Sequence, residues 1–169
     1  MTMAATLSTP YDLVPDPEDF DREESDYLAA EDLEIIASRL IAERDQVRFA
    51  GKFRILYRWR REAPVTRGNV TMGACNRTTG LLAHFAEADY VIWLAADAAR
   101  DYKLTPSQVE ALLFHELLHV IPNVEGKPSL RGHDAECFAA EIEAYGLWFS
   151  HLKRIGEAVQ LSMGLDGGR

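Results

Sequence analysis

Ala111-Leu112-Leu113-Phe114-His115-Glu116-Leu117-Leu118-His119-Val120-Ile121 sets three polar side chains inside an apolar run. Unpartnered polar groups are costly in a core, so His115, Glu116 and His119 need a reason to be there. On a helix, residues four apart stand one above the other, and His115 and His119 can then offer two imidazole nitrogens to one ion. Glu116 lies about 100° round the helix from His115. From there its carboxylate can reach a water beside the ion rather than the ion itself. Imidazoles that hold a cation, a cation that acidifies water and a carboxylate that takes the proton are the parts of a metal-dependent hydrolase. The plainer alternative is an amphipathic core helix that happens to carry two His and a Glu.

The start of this helix is written just upstream. Leu104-Thr105-Pro106-Ser107-Gln108 puts Thr at the N-cap, Pro at the first helical position and Gln three residues after the cap. That is a capping box with a pre-set first turn. Val109, Leu112, Leu113, Leu117, Val120 and Ile121 follow helical spacing, which predicts a helix running to Ile121. Pro122, Asn123 and Gly126 then break it.

The 169-residue chain fits one domain with tails and can bury a real core. A net charge of −9 argues against a protein that coats nucleic acid non-specifically. No apolar run is long enough to cross a bilayer. Met1 to Pro17 lacks the basic start and apolar segment of a secretory signal, so a cytoplasmic protein is expected. Cys75 and Cys137 stand far apart without a C-x-x-C pair, which excludes a disulfide framework and a cysteine-based zinc ribbon. Residues 1–25 hold Pro10, Pro15 and Pro17 among seven acidic residues and are expected to form a flexible acidic leader. Residues 26–160 are expected to be a single domain, and 161–169 a flexible tail.

Along the chain, Leu28, Leu33, Ile36, Leu40, Ile41 and Val47 recur at near-helical spacing and predict a scaffold helix over Tyr27–Val47. Lys52 to Arg61 alternates basic and apolar residues, the pattern of a half-exposed strand. Its basic face suits an acidic substrate or a phosphate backbone, or else a solvated strand edge kept from aggregating by charge. Gly68 to Cys75 predicts a second strand, with Gly68 and Asn69 as turn residues. Leu81 to Phe85 fits a strand or a short helix, and His84 within it reads as structural. Asp89-Tyr90-Val91-Ile92-Trp93-Leu94-Ala95 is the clearest strand, β-branched and aromatic.

Two His on one turn leave a zinc ion half-coordinated, so a third ligand must come from beyond the site helix. After the loop Asn123 to Gly132 comes His133-Asp134-Ala135-Glu136-Cys137-Phe138. His133 stands where a second helix is expected, running on through Ile142, Tyr145, Trp148 and Ile155. A neutral imidazole suits a borderline-soft ion, and His133 is the first candidate. Asp134 and Glu136 compete for that place or for a hydrogen bond to a liganding imidazole. Glu141 would ligate only in a gluzincin-like geometry. Cys137 reads as a small buried hydrophobe and Tyr145 as core.

From Gln108 to Trp148, HELLH, Gly126, Leu130, His133-Asp134, Phe138 and Tyr145-Gly146-x-Trp148 resemble the phage metallopeptidase family. The strand Asp89-Tyr90-Val91-Ile92 also fits that family's pattern. More distantly, HELLH followed by a Gly-His pair resembles the SprT-like zincin domain. The likeness covers roughly residues 50 to 150. It implies an α+β, zincin-like fold with a small, mostly antiparallel sheet packed on helices and a two-helix HExxH metal site. It also implies His115, His119 and His133 as Zn2+ ligands, Glu116 as general base, and a protein or peptide substrate. A phage origin would place the protein in the cytoplasm of the host bacterium. The chain lacks the zinc ribbon and DNA-binding tail of some SprT-like proteins, which disfavours a nucleic-acid partner.

The implied reaction is peptide-bond hydrolysis by metal-activated water with Glu116 as base. An extended substrate would pair with a free sheet edge supplied by strand 89–95 or strand 53–60. Two rival classes stand beside it. One is a catalytically silent metal-binding protein with a phage regulatory or anti-defence role; the other is a nucleic-acid-associated SprT-like protein that uses the basic strand at 52–61. Oligomeric state is not written in the sequence.

Overall fold

The structure is a computed structural model that describes residues 13–133, 139–149 and 152–153. The chain divides into two compact units, Met1–Arg131 and Gly132–Arg169. The first holds α1 (Pro17–Arg22), β1 (Tyr27–Ala29), α2 (Glu31–Glu43), a 3-10 segment (Asp45–Lys52), β2 (Ile55–Arg60), β3 (Val65–Thr66), β4 (Asn69–Val70) and β5 (Gly73–Arg77). It continues through α3 (Gly80–Ala86), β6 (Tyr90–Ala95), α4 (Ala96–Asp101), α5 (Pro106–Leu118), β7 (Val120–Pro122) and β8 (Pro128–Leu130). The second unit holds α6 (Ala139–Tyr145). The architecture is α+β.

Four strands form the main sheet in the order β1-β2-β6-β5. The sheet is mixed: β1–β2 and β6–β5 are antiparallel, while the central pair β2–β6 is parallel. A parallel pair needs a crossover, and the chain supplies one through β3, β4, β5 and α3. This order corrects the expected substrate edge. Strands 53–60 and 89–95 are both interior, and the edges are β1 and β5. The basic strand is likewise no solvated edge. Local alternation reveals a strand's faces but not its neighbours, because pairing is non-local. β6 carries Tyr90, Ile92, Trp93, Leu94 and Ala95 buried in near-continuous sequence, as a strand covered on both faces requires.

α2 and α5 pack together and against the sheet. In α2, Leu33, Ala37 and Leu40 form the buried stripe at helical spacing. The expected Tyr27–Val47 helix is thus shorter. Tyr27–Ala29 pairs with β2 as a strand, and beyond Glu43 the 3-10 segment buries Val47 and Ala50. Gly68–Cys75 divides as well. Arg67 and Gly68 take positive φ (51° and 82°), so Asn69–Val70 folds back on Val65–Thr66, and β5 starts only at Gly73. Leu81–Phe85 resolves as helix α3. Within the expected leader, residues 17–22 form α1. Asp19 Oδ2 accepts from the Asp16 amide at 2.9 Å, Phe20 is wholly buried, and Asp21 pairs with Arg61 at 2.6 Å. One aromatic and a capping box are enough to hold an acidic stretch that net charge alone would release.

α5 begins as its cap foretells. Thr105 Oγ1 accepts from the Gln108 amide at 3.3 Å, and Gln108 Oε1 accepts from the Thr105 amide at 2.9 Å. Val109, Ala111, Leu112, Leu113, Phe114, Glu116, Leu117 and Leu118 are all buried, so this helix is enclosed on nearly every side. It ends earlier than its periodicity suggests. Leu118 is the last helical residue, and Val120-Ile121-Pro122 is strand β7, antiparallel to β8. Two β-branched residues fit either period, and the turn decides between them. Asn123 Oδ1 accepts from the Glu125 and Lys127 amides, each at 2.9 Å, while Gly126 takes φ 78°.

In the second unit, α6 stops at Tyr145 because Gly146 takes φ 68° and its amide donates to Ile142 O at 2.8 Å. The expected second helix is therefore interrupted at Gly146; residues 152–153 are helical again, with the Lys153 amide donating to Phe149 O at 3.1 Å, and Ile155 lies outside the described residues. Glu141 and Leu152 are buried, and Trp148 Nε1 donates to Glu141 Oε1 at 2.8 Å.

Candidate metal centre

His119 occupies the residue that ends α5, with φ −70° and ψ −22°. The chain turns at once into the β7–β8 hairpin, and that hairpin returns Arg131 beside it. Arg131 N donates to His119 O at 2.8 Å, and Arg131 O lies 2.7 Å from His119 Nδ1. A carbonyl can only accept, so Nδ1 carries the proton and Nε2 keeps its lone pair for a ligand. This is the tautomer a metal-binding imidazole needs, and a backbone oxygen sets it.

His115 stands one turn earlier, its ring centroid 5.3 Å from that of His119 and its plane turned by 73°. His133 follows Arg131 by two residues, within covalent reach of the same place. One ring nitrogen from each of His115, His119 and His133 lies within 4.8 Å of the others, so these three could hold a metal ion. Three imidazoles, one with its tautomer fixed for ligation, are a donor set suited to a borderline-soft divalent cation.

Glu116 is 4 % exposed, and its Oε2 lies 4.0 Å from His119 Nε2. The carboxylate thus sits beside the nitrogen left open for a ligand. The backbone of β5 passes close by at Gly73. Cys75, two residues further along β5, has a thiol whose pKa is pushed well up, first by burial and then by the negative charge of Glu116. It stays a neutral thiol near the site.

Among the other candidates, Glu141 accepts from Trp148 Nε1. His84 lies exposed on α3 against Phe85, at a ring distance of 5.5 Å. Asp134, Glu136 and Cys137 lie outside the described residues. Sequence reasoning did not single out Gly73, which lies against Glu116, or the Arg131 carbonyl beside His119 Nδ1. A glycine within a strand pattern is a signal for close backbone approach; a backbone carbonyl has none.

The basic strand is engaged by its own fold. Arg61 pairs with Asp21 and reaches Asp26 at 3.7 Å, and Arg54 reaches Glu87 at 3.8 Å. Arg60 lies over Trp93 at 4.9 Å, and Arg58 donates to Tyr57 O at 2.8 Å. Among the described residues, no helix is long and apolar enough to cross a membrane.

No curated protein and no solved structure matches the chain. The model of one family does match, over residues 25–160, a span that takes in β1, the whole sheet, α5 and the candidate ligands His115, His119 and His133. With most of its length matched, the chain belongs to the family described as "Putative phage metallopeptidase".

Proposed function

We propose that the protein is a zinc-dependent metallopeptidase of zincin-like fold that hydrolyses peptide bonds in a protein or peptide substrate. His115, His119 and His133 hold the ion and Glu116 is the general base. The observation that carries this reading is the pairing of a three-nitrogen cluster with a buried carboxylate 4.0 Å from His119 Nε2. Zinc is favoured over manganese or iron by the all-imidazole donor set. When bound, the ion supplies Lewis acidity that acidifies water and polarises a carbonyl.

The chain's own residues do the rest. Arg131 O keeps the His119 proton on Nδ1 and so keeps Nε2 available. Glu116 takes a proton from water as the water oxygen adds to the carbonyl carbon. It returns that proton to the amide nitrogen as the C–N bond breaks, and the second water proton passes from the new carboxyl group to the amine, which leaves a carboxylate and an ammonium. Burial of Glu116 shields this transfer from competing solvent. The sheet edge beside Glu116 is β5, whose first residue is Gly73. An extended substrate laid along β5 would bring its backbone past the base.

The test is zinc content of the purified wild type beside His119→Ala and His133→Ala, with hydrolysis of an unfolded protein substrate by wild type and Glu116→Gln. The expected result is zinc in the wild type and its loss from both His variants. Glu116→Gln should keep zinc and lose about 10²-fold or more of the rate. Equal zinc in all three metal samples removes the site. Zinc retained with no hydrolysis by the wild type leaves a metal-binding protein in place of an enzyme.

A further inference from the structure

We propose that Tyr90 is a positioning residue for the metal centre: its hydroxyl fixes the β7–β8 hairpin so that Arg131 O meets His119 Nδ1. The inference rests on the reading that His115, His119 and His133 bind a metal, and extends it to a residue that touches none of them.

Tyr90 opens β6, and none of its surface is exposed. Its ring meets Phe53 edge-on, with centroids 5.4 Å apart. The hydroxyl accepts from Ser129 N at 2.7 Å, donates to Ser129 O at 2.6 Å, and has Ile121 O at 3.1 Å as a second acceptor. Ile121 and Ser129 face each other across the hairpin. One phenol therefore grips both strands of β7–β8 at the same rung. Two residues along each strand is the rung of His119 and Arg131, where the backbone bond and the imidazole bond are made.

The hairpin needs such an anchor. Each strand has three residues, Val124 at its tip is fully exposed, and an isolated two-strand hairpin is marginal in water. A slip of one residue would invert its faces and put another residue opposite His119. The imidazole would then lose the carbonyl that sets its tautomer, and His133 would leave the hairpin from a different point. Arg77 Nη1 also donates to Pro128 O at 3.0 Å, but that contact is exposed and lies nearer the tip. It holds the hairpin on the fold without fixing the rung next to His119.

The test is Tyr90→Phe in the full chain, which keeps the ring and removes only the hydroxyl. Zinc affinity is measured by competition with a chromogenic chelator, together with the visible spectrum of the cobalt-substituted protein. Losing an outer partner of a liganding histidine costs about 10–100-fold in metal affinity, and zinc binding about 10-fold or more weaker is expected. The cobalt bands should shift as well. A lower melting temperature of the metal-free chain with zinc affinity and cobalt spectrum unchanged would make Tyr90 merely structural and overturn the proposal. Should the variant not fold, hydrogen exchange of the metal-free wild type decides. Ser129 and Arg131 amides protected before metal is added support the proposal; exchange at the rate of an open chain overturns it. A wild type that binds no zinc ends the metal reading itself, and this inference with it.

Discussion

Glu116 Oε1 comes within 3.0 Å of the point where Gly73 would carry a Cβ, and Leu94 Cδ2 and Trp93 O stand at 2.8 and 3.2 Å from the same point. The smallest side chain at 73 would therefore press on the carboxylate, on a core leucine and on a backbone oxygen that cannot turn aside. Gly73→Ala should cost about 1–3 kcal/mol through overpacking. If Glu116 is the base, hydrolysis should fall further, by about 10²-fold, since a misplacement of about 1 Å costs that much. Thermal unfolding and kcat/KM on one preparation separate the two effects, and activity within twofold of wild type would show that Glu116 tolerates the displacement.

The cap of α5 gives a cleaner stability prediction. Thr105→Ala removes the oxygen that receives the Gln108 amide. The expected loss is about 1 kcal/mol, a fall in Tm of about 2–4 °C for a chain of this size. Thr105→Ser should restore most of it. An alanine variant that melts with the wild type would mean that packing of α5 makes its cap redundant.

Cys75 should resist alkylation. Burial holds its thiol protonated, with the charge of Glu116 adding to the effect. At pH 8, iodoacetamide should label Cys75 at least about 10-fold more slowly in the folded chain than in denaturant, as read by peptide mass mapping. The linkage has a definite sign. The folded thiol keeps its proton above the ordinary value of 9.0, where the unfolded thiol loses it, so stability should fall as pH rises past that value. Cys75→Ala should flatten this slope.

Asp32 offers a test at a site far from the histidines in sequence. Its pKa is raised, because burial outweighs hydrogen bonds from backbone amides and from Trp59 Nε1, the latter at 3.2 Å. The charged form is therefore the disfavoured one in the folded state. Asp32→Asn keeps an oxygen for Trp59 and drops the charge, so the variant should be at least as stable as wild type at pH 7. The advantage should vanish below pH 3.8, where the carboxyl is protonated in folded and unfolded chains alike. Urea unfolding at pH 7 and pH 3 reads the difference, and a variant less stable at pH 7 would show that the charge serves the first turn of α2.

What could be read in the sequence was what local spacing determines. Thr105, Pro106 and Gln108 announce a helix start, and His115, Glu116 and His119 share a turn whatever else the chain does. Non-local pairing was the part out of reach. Val120 and Ile121 satisfy a helical and an extended period equally, and only the Asn123–Gly126 turn places them on a strand. β2 reads as a lone basic strand until β1 and β6 are found on either side. Gly73 comes near Glu116 only once the sheet is assembled. Phe20 shows how one aromatic can hold a segment that its charge would leave open.

The main chain of residue 131 engages His119 twice, through its N–H and through its C=O. Proline is barred there, because it has no N–H to give to His119 O.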